Sequence, residues 1–349
     1  MEGQQISYEW NHNHQSSISI HPFMAGGFFG RSLVSILPWM PKFVVGWVAR
    51  RYVAGKDINS AIKIMKNLEK QSACTTVDVL GEEIKTLEEA NFFVEEYKEL
   101  IKAINKESLN ANISIKPTAF GLLLDRDKGL ENISEVCELA SKTGIFVRLD
   151  MEDHRVTQDT IDVVLDMHSR NIKNVGCVLQ SRLFRTKEDI KVLCEKLNGF
   201  ADFRLCKGIY LEPPEISNTS YQSIVDSFCT DIDLALDLGA YVGIATHDTQ
   251  VLNYANNALE KRNLGPDKTD ERKNSPKERK GKGPGYEYQF LLGVRGNIRR
   301  KLAKEGHMTR VYVPYGSQWY EYSMRRLREN PDIAWHVFKA MIFPWSNRR

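Results

Sequence analysis

The sequence predicts an α/β protein built on a (β/α)8 barrel of TIM type, distorted and preceded by N-terminal helices. Three observations carry this. Eight short β-rich runs recur along the chain, stretches with apolar residues at three- and four-residue spacing separate them, and nearly every run closes on a polar residue able to do chemistry. Strands alternating with amphipathic helices build a parallel sheet through crossover connections. Eight such units in about 270 residues suit a closed barrel better than an open doubly wound sheet.

The elements follow in order. Residues 23–53, FMAGGFFGRSLVSILPWMPKFVVGWVARRYV, form the most apolar region. Arg31, Pro38, Pro41, Lys42 and Arg50 interrupt it, so no stretch supplies the roughly eighteen uncharged residues of a spanning helix. Two readings stay open, short helices packed on the barrel or an amphipathic segment lying on a membrane. The chain thus divides into a polar leader with an apolar helical segment (1–44) and the barrel (45–349). The strand runs are TTVDVLGE (75–82), NISIKPTA (112–119), IFVRLDME (145–152), NVGCVLQS (174–181), FRLCKGIY (203–210), YVGIATHD (241–248), YEYQFLLGV (286–294) and RVYVPYG (310–316). Near-continuous apolar character fits strands covered by helices outside and packed inside. Their polar ends are Glu82, Lys116, Asp150, Gln180, Lys207, His247, Gln289 and Tyr312. In barrels the C-terminal strand ends converge on one mouth, so eight such residues in register predict a site. Residues 262–285, RNLGPDKTDERKNSPKERKGKGPG, break the rhythm and predict a mobile basic loop before the seventh strand. Their KGKGPG (280–285) lacks the G-K-[ST] of a phosphate loop and no strand leads into it.

Composition narrows the function. With 349 residues, 42% hydrophobic and 27% charged, collagen-like, mucin-like and wholly disordered chains are excluded. The net charge of +3 is local, because residues 261–282 alone carry +5 and the remainder about −2. No global field points to nucleic acid. Six scattered cysteines without a C-x-x-C pair predict reduced thiols in a cytoplasmic setting. The first residues match neither a signal peptide nor a transit peptide.

Two cations, Arg204 and Lys207, close the fifth run, and a lysine there suits either an anionic ligand or a Schiff-base aldolase. His247 and Asp248 lie near Asp150, Glu152 and Asp153 in this scheme but lack metal-ligand spacing, so no metal is predicted. The last segment carries Arg325, Arg326 and Arg328, whose guanidinium forks suit a carboxylate held over the mouth.

RYVAGK (51–56), DVLGE (78–82), RLCKGIY, ATHD, YEYQFLLGV and the terminal YVPYGxxWYxYxMRRLxENP, in this order, resemble the proline dehydrogenase family over roughly residues 45–345. The resemblance implies a distorted barrel holding FAD noncovalently. It implies oxidation of L-proline to Δ1-pyrroline-5-carboxylate by hydride transfer to flavin N5, with electrons passing to a membrane quinone. By the same resemblance Asp150, Arg204 and Tyr312 are catalytic. Lys116, Tyr210, Leu291, Arg325 and Arg326 bind substrate, and Met151, Gln180, Arg204, Lys207, Gly208, Ile209, Thr246 and His247 hold the cofactor. Quinone access further implies peripheral contact with the inner face of a membrane, on the mitochondrial matrix side in a eukaryote. Two features depart from the family pattern. Pro117 follows the strand-two lysine where an ordinary apolar residue is expected, and the basic loop looks like an insertion to which the resemblance assigns no role. The rival readings are a Schiff-base aldolase using Lys207 and a noncatalytic barrel binding a membrane or partner.

Overall fold

The computed structural model describes residues 46, 49–276, 283–320 and 322–324. Eight strands, all parallel, close in sequence order into a barrel: β1 (Cys74–Val79), β2 (Ala111–Ile115), β3 (Val147–Leu149), β4 (Val175–Gln180), β5 (Asp202–Cys206), β6 (Tyr241–Ala245), β7 (Tyr286–Leu291) and β8 (Thr309–Tyr315). The helices are α1 (Ile58–Glu69), α2 (Leu87–Lys106), α3 (Arg126–Lys142), α4 (His154–Ser169), α5 (Thr186–Leu197), α6 (Tyr221–Asp237), α7 (Thr249–Glu260) and α8 (Gly296–Lys304). Each β-rich run of the sequence matches one strand, although β1, β2, β5 and β8 begin one residue before their runs.

Local chemistry fixes where helices start, and therefore where the strand ends can reach. Asp153 and Asp248 cap α4 and α7, accepting from the N–H groups of Arg155 and Gln250. Only a few residues separate β3 from Asp153 and β6 from Asp248, so Asp150 and His247 sit on short connections braced at both ends. Pro117 opens a 3-10 turn, Pro117–Phe120, while Lys116 before it keeps an extended backbone. Proline therefore leaves the lysine in line with its strand.

Two of the expected strand-end residues lie inside strands instead. Gln289 and Tyr312 fall within β7 and β8, because both strands run beyond them toward the mouth. Arg204 is likewise internal to β5.

The distortion is visible in how the ring of helices closes. α1, which precedes the first strand, packs on β8 and β1, in the place a helix after β8 would take. The chain leaving β8 turns instead at Gly316 (φ 138°), whose N–H donates to the Gly55 carbonyl at 3.0 Å. Tyr322 then packs with Val53 and Leu80, and Trp319 joins them at the C-terminal end of the barrel.

The barrel interior is partly ionic. Arg148 pairs with Asp202 and donates to the Cys177 carbonyl at 3.0 Å, all of it buried. Glu287 receives Arg310 Nε at 2.6 Å and Nη2 at 2.9 Å, with both side chains fully buried. Two glycines make room. A Cβ on Gly176 would stand 2.9 Å from Arg148 Nη1, and one on Gly243 2.4 Å from Gln289 Nε2.

The basic loop is anchored on both described flanks. Arg272 donates to the Leu236 carbonyl at 2.8 Å and pairs with Asp270, Leu264 is buried, and Gly283 N–H donates to the Tyr241 hydroxyl at 2.9 Å. These contacts lie at the N-terminal ends of the strands, opposite the mouth. Residues 1–45, 277–282 and 325–349, including most of the apolar segment and Arg325, Arg326 and Arg328, lie outside the described residues.

Candidate active site

At the C-terminal mouth lies a cavity of about 420 Å³. All eight polar residues that close the β-rich runs line it, together with Met151, Arg204, Gly208, Ile209, Tyr210, Thr246 and Leu291. Strand ends distant in sequence thus converge on one space of the size small-molecule sites adopt.

Its floor is a connected polar set. Arg204, rising from β5, donates through Nη1 to Asp150 Oδ1 at 2.5 Å, through Nε to Gln289 Oε1 at 2.6 Å and through Nη2 to Ser114 Oγ at 2.9 Å. Three directed bonds fix the guanidinium plane. The Tyr312 hydroxyl donates to Asp150 Oδ2 at 2.7 Å, and the guanidinium lies 5.3 Å from the centroid of its ring. Burial first, and then the Asp150 charge, push the Tyr312 phenol well above its usual range, so it remains a donor.

Lys116 pairs with Asp78 Oδ1 at 2.5 Å and approaches the Tyr312 hydroxyl at 3.4 Å. Burial opposes its charge, but Asp78, Asp150 and Glu152 outweigh this and hold the ammonium above its usual pKa. Charge counting on the floor is informative. Lys116 and Arg204 bring two positive charges, Asp78 and Asp150 two negative ones, so this set alone holds no surplus for an incoming carboxylate.

A second carboxyl group stands beside it. Glu152 accepts from Thr118 N at 3.0 Å and Thr118 Oγ1 at 2.6 Å. Burial pushes its pKa up to about 7 against those hydrogen bonds. The 3-10 turn begun by Pro117 is what delivers Thr118.

The rim has a different character. The Gln180 amide donates to the Met151 and Glu152 carbonyls at 3.1 and 2.8 Å, while its buried Oε1 has no partner. Gly208 takes φ 92°, and a Cβ there would stand 2.6 Å from that same oxygen. The loop backbone can pass so close only as glycine. His247 accepts from Leu291 N–H at 3.1 Å through Nε2, which leaves its proton on Nδ1. Burial first and Arg295 second lower its pKa to about 4, so the ring is a neutral donor at pH 7. Lys207 pairs with Asp248 and lies 4.2 Å from the Tyr221 ring centroid. A lysine engaged as an ion-paired donor is poorly arranged to attack a carbonyl, which removes the physical basis of the aldolase reading.

These features fit a flavin. An unpartnered acceptor suits a ring N–H, a close-passing glycine loop suits a flat ligand, and a neutral N–H donor suits a hydroxyl or phosphate oxygen. Among the described residues no group of three or more His, Cys, Asp or Glu side chains could hold a metal ion.

Sequence reasoning passed over Asp78, Ser114 and Glu287. Glu287 accepts from Gln289 Nε2 at 2.7 Å and so turns the carboxamide oxygen toward Arg204. The alternation YEYQ, with a charge two residues before a strand-end amide, was the available signal. Asp78 lay within the DVLGE motif, but its lysine partner is on the next strand.

The proline dehydrogenase family model matches residues 61–337. Proline dehydrogenase 2 of Bacillus subtilis (strain 168) is 33% identical over 307 residues, 87% of this chain and 94% of that one. Proline dehydrogenase 1 of the same strain is 32% identical over 294 residues, 84% and 90% of the two chains. Among solved structures, proline utilization A (PutA) from Bdellovibrio bacteriovorus superposes with a TM-score of 0.74 at 22% identity. That match covers 87% of this chain but only 36% of the other, and it supports the fold alone. With one family model spanning the barrel, and relatives sharing a third of their residues along nearly their whole length, the chain belongs to the proline dehydrogenase family.

Proposed function

We propose that this chain, an oxidoreductase of the proline dehydrogenase family, oxidises L-proline to Δ1-pyrroline-5-carboxylate at the barrel mouth with noncovalent FAD, and passes the electrons to a membrane quinone. One observation carries the reading: Arg204, Asp150, Tyr312 and Lys116 form a single hydrogen-bonded floor beneath a rim with an unpartnered amide oxygen and a close-passing glycine. FAD, when bound, supplies the hydride acceptor.

The chain's own residues do the rest. Gln180, Lys207, Gly208, Ile209, Thr246, His247 and Met151 hold the cofactor. Arg204, its plane fixed by three partners, keeps a positive charge beside the redox centre and favours the electron-rich reduced form. Asp150 holds Arg204 and Tyr312 in register. Tyr210, Leu291 and the Tyr312 ring wall the pyrrolidine. Lys116 contributes one directed donor to the substrate carboxylate. Since the floor set is neutral, Arg325 and Arg326 supply the net positive charge that recognises the anion, and this orients C5 for transfer.

In this reading residues 45–349 are the flavin-binding catalytic barrel. The apolar segment that starts at residue 23 touches a membrane surface, where a lipid-soluble quinone is met, and its end at Val53 packs on the barrel. No helix of the described residues is long and apolar enough to cross a membrane. Removing residues 1–44 should then weaken vesicle binding and spare activity with a soluble dye; unchanged vesicle binding refutes this part. The cofactor is tested on purified protein supplied with FAD. Flavin bands that acid precipitation releases to the supernatant are expected, whereas failure to take up FAD, or flavin retained in the pellet, contradicts noncovalent binding.

A further inference from the structure

On the flank of the barrel, between α1 and the start of α8, lies a second cavity of about 290 Å³. Arg51, Arg295, Arg299 and Arg300 line it, and among the described residues no Asp or Glu does. Its floor is apolar, formed by Leu68, Leu292 and Val311. Arg299 is only 3% exposed, yet among the described residues its guanidinium meets just the Gln71 amide oxygen at 2.6 Å and the Gln71 carbonyl at 3.5 Å. Arg51 donates to the Gly293 carbonyl at 3.1 Å and Arg295 to Thr249 Oγ1 at 3.2 Å, both neutral acceptors. Three of the other buried arginines pair with carboxylates, Arg148 with Asp202, Arg204 with Asp150 and Arg310 with Glu287, whereas Arg182 donates to the Tyr210 carbonyl.

A buried guanidinium without a counter-ion among the described residues, with the Arg300 charge beside it, is electrostatically incomplete. Burial and the neighbouring Arg300 accordingly lower the Arg299 pKa. The missing partner is an anion, and its class follows from the donors. Four arginines lining one cavity bring several N–H donors each, more than their neutral partners use, which suits a tetrahedral oxyanion of more than one charge better than a flat monoanion. The first turn of α8 adds the positive end of a helix at the same place.

We propose that this cavity binds a phosphate group, with Arg295, Arg299 and Arg300 as its principal ligands. The site adjoins the mouth, since Leu291 lines both cavities and the Arg295 charge reaches His247, but the inference stands whether or not the chain oxidises proline. The phosphate has two possible sources, a soluble phosphate ester or a phospholipid headgroup.

The test uses the FAD-loaded full-length chain, titrated with inorganic phosphate at constant ionic strength, with chloride and acetate as controls. Phosphate should bind and raise the melting temperature where chloride and acetate do not. Arg295→Gln/Arg300→Gln, at two exposed positions, should weaken phosphate at least tenfold while keeping its circular dichroism; Arg300→Gln alone, clear of the mouth, should weaken it less and keep its flavin. Co-sedimentation with phosphatidylcholine vesicles, with and without phosphatidic acid, then separates the sources. Capture that needs phosphatidic acid and both arginines, and that inorganic phosphate competes away, assigns a lipid headgroup. Phosphate binding without vesicle capture assigns a soluble ester. No binding above the chloride control, acetate binding as well as phosphate, or undiminished affinity in the double variant overturns the proposal.

Discussion

Replacing Asp150 by Asn separates two functions that the floor combines. The carboxylate accepts from Arg204 at 2.5 Å and from Tyr312 at 2.7 Å, both as charge-assisted bonds. An amide of the same shape keeps one acceptor and turns an N–H₂ toward one of these donors. Losing one bond to a charged group costs about 1.5–3 kcal/mol, or roughly 10- to 150-fold in rate if the bond is needed in the transition state. Binding should respond differently. The substitution removes one of two negative charges, so the floor goes from neutral to a net charge of +1, which favours an anionic substrate. The expected signature is therefore a kcat lowered 10- to 150-fold with a KM for L-proline unchanged or smaller. Tyr312→Phe, which removes one of the two bonds and no charge, should lower kcat less and leave KM nearly alone. Dye-linked steady-state kinetics on protein with matched flavin content measures both. A raised KM at unchanged kcat in the Asn variant would make Asp150 a substrate ligand and refute its assignment as the brace of Arg204 and Tyr312.

Other expected outcomes follow from the same geometry. Arg325→Ala or Arg326→Ala should weaken proline binding about 10- to 100-fold while leaving the flavin spectrum intact, because no surplus charge on the floor compensates; inhibition by a proline analogue measures it. Glu287→Gln leaves Arg310 fully buried without its counter-charge and should cost about 3–5 kcal/mol of stability in denaturant titrations. Gly208→Ala places a methyl 2.6 Å from Gln180 Oε1 at φ 92° and should weaken FAD at least tenfold, read from flavin fluorescence. Glu152 has its folded pKa raised to about 7 by burial, so the stability it contributes is fully present below about pH 4.5 and is lost as pH rises through 7. Glu152→Gln should abolish that slope, the parent losing up to about 3 kcal/mol relative to the variant across this window; parallel pH profiles would exclude it.

Much of the architecture was legible because it is periodic. Strand runs alternate with amphipathic helices, and a barrel forces their C-terminal ends together, so eight polar residues far apart in sequence could be assigned to one mouth. The exact strand ends were less legible: Gln289 and Tyr312 look terminal in sequence, but β7 and β8 continue past them. What could not be read was partnership across strands. Asp78 and Lys116 are 38 residues apart, and only the β1–β2 register brings the carboxylate to the ammonium. Glu287 sits in an ordinary aromatic run, and its link to Arg204 passes through Gln289 and the space left by Gly243. The basic loop misled for a physical reason. Its composition suggests a chain free in solvent, yet Asp270, Arg272 and Ser275 satisfy one another and tie its first half to the end of α6.

Anaerobic mixing of the FAD-loaded protein with L-proline tests the central claim most directly. If the mouth holds a flavin above Arg204 and orients proline by its carboxylate, the yellow absorbance should bleach on adding L-proline and a pyrroline product should accumulate in step with it. A flavin that stays oxidised at saturating L-proline, in protein whose FAD content is verified, would contradict the assignment.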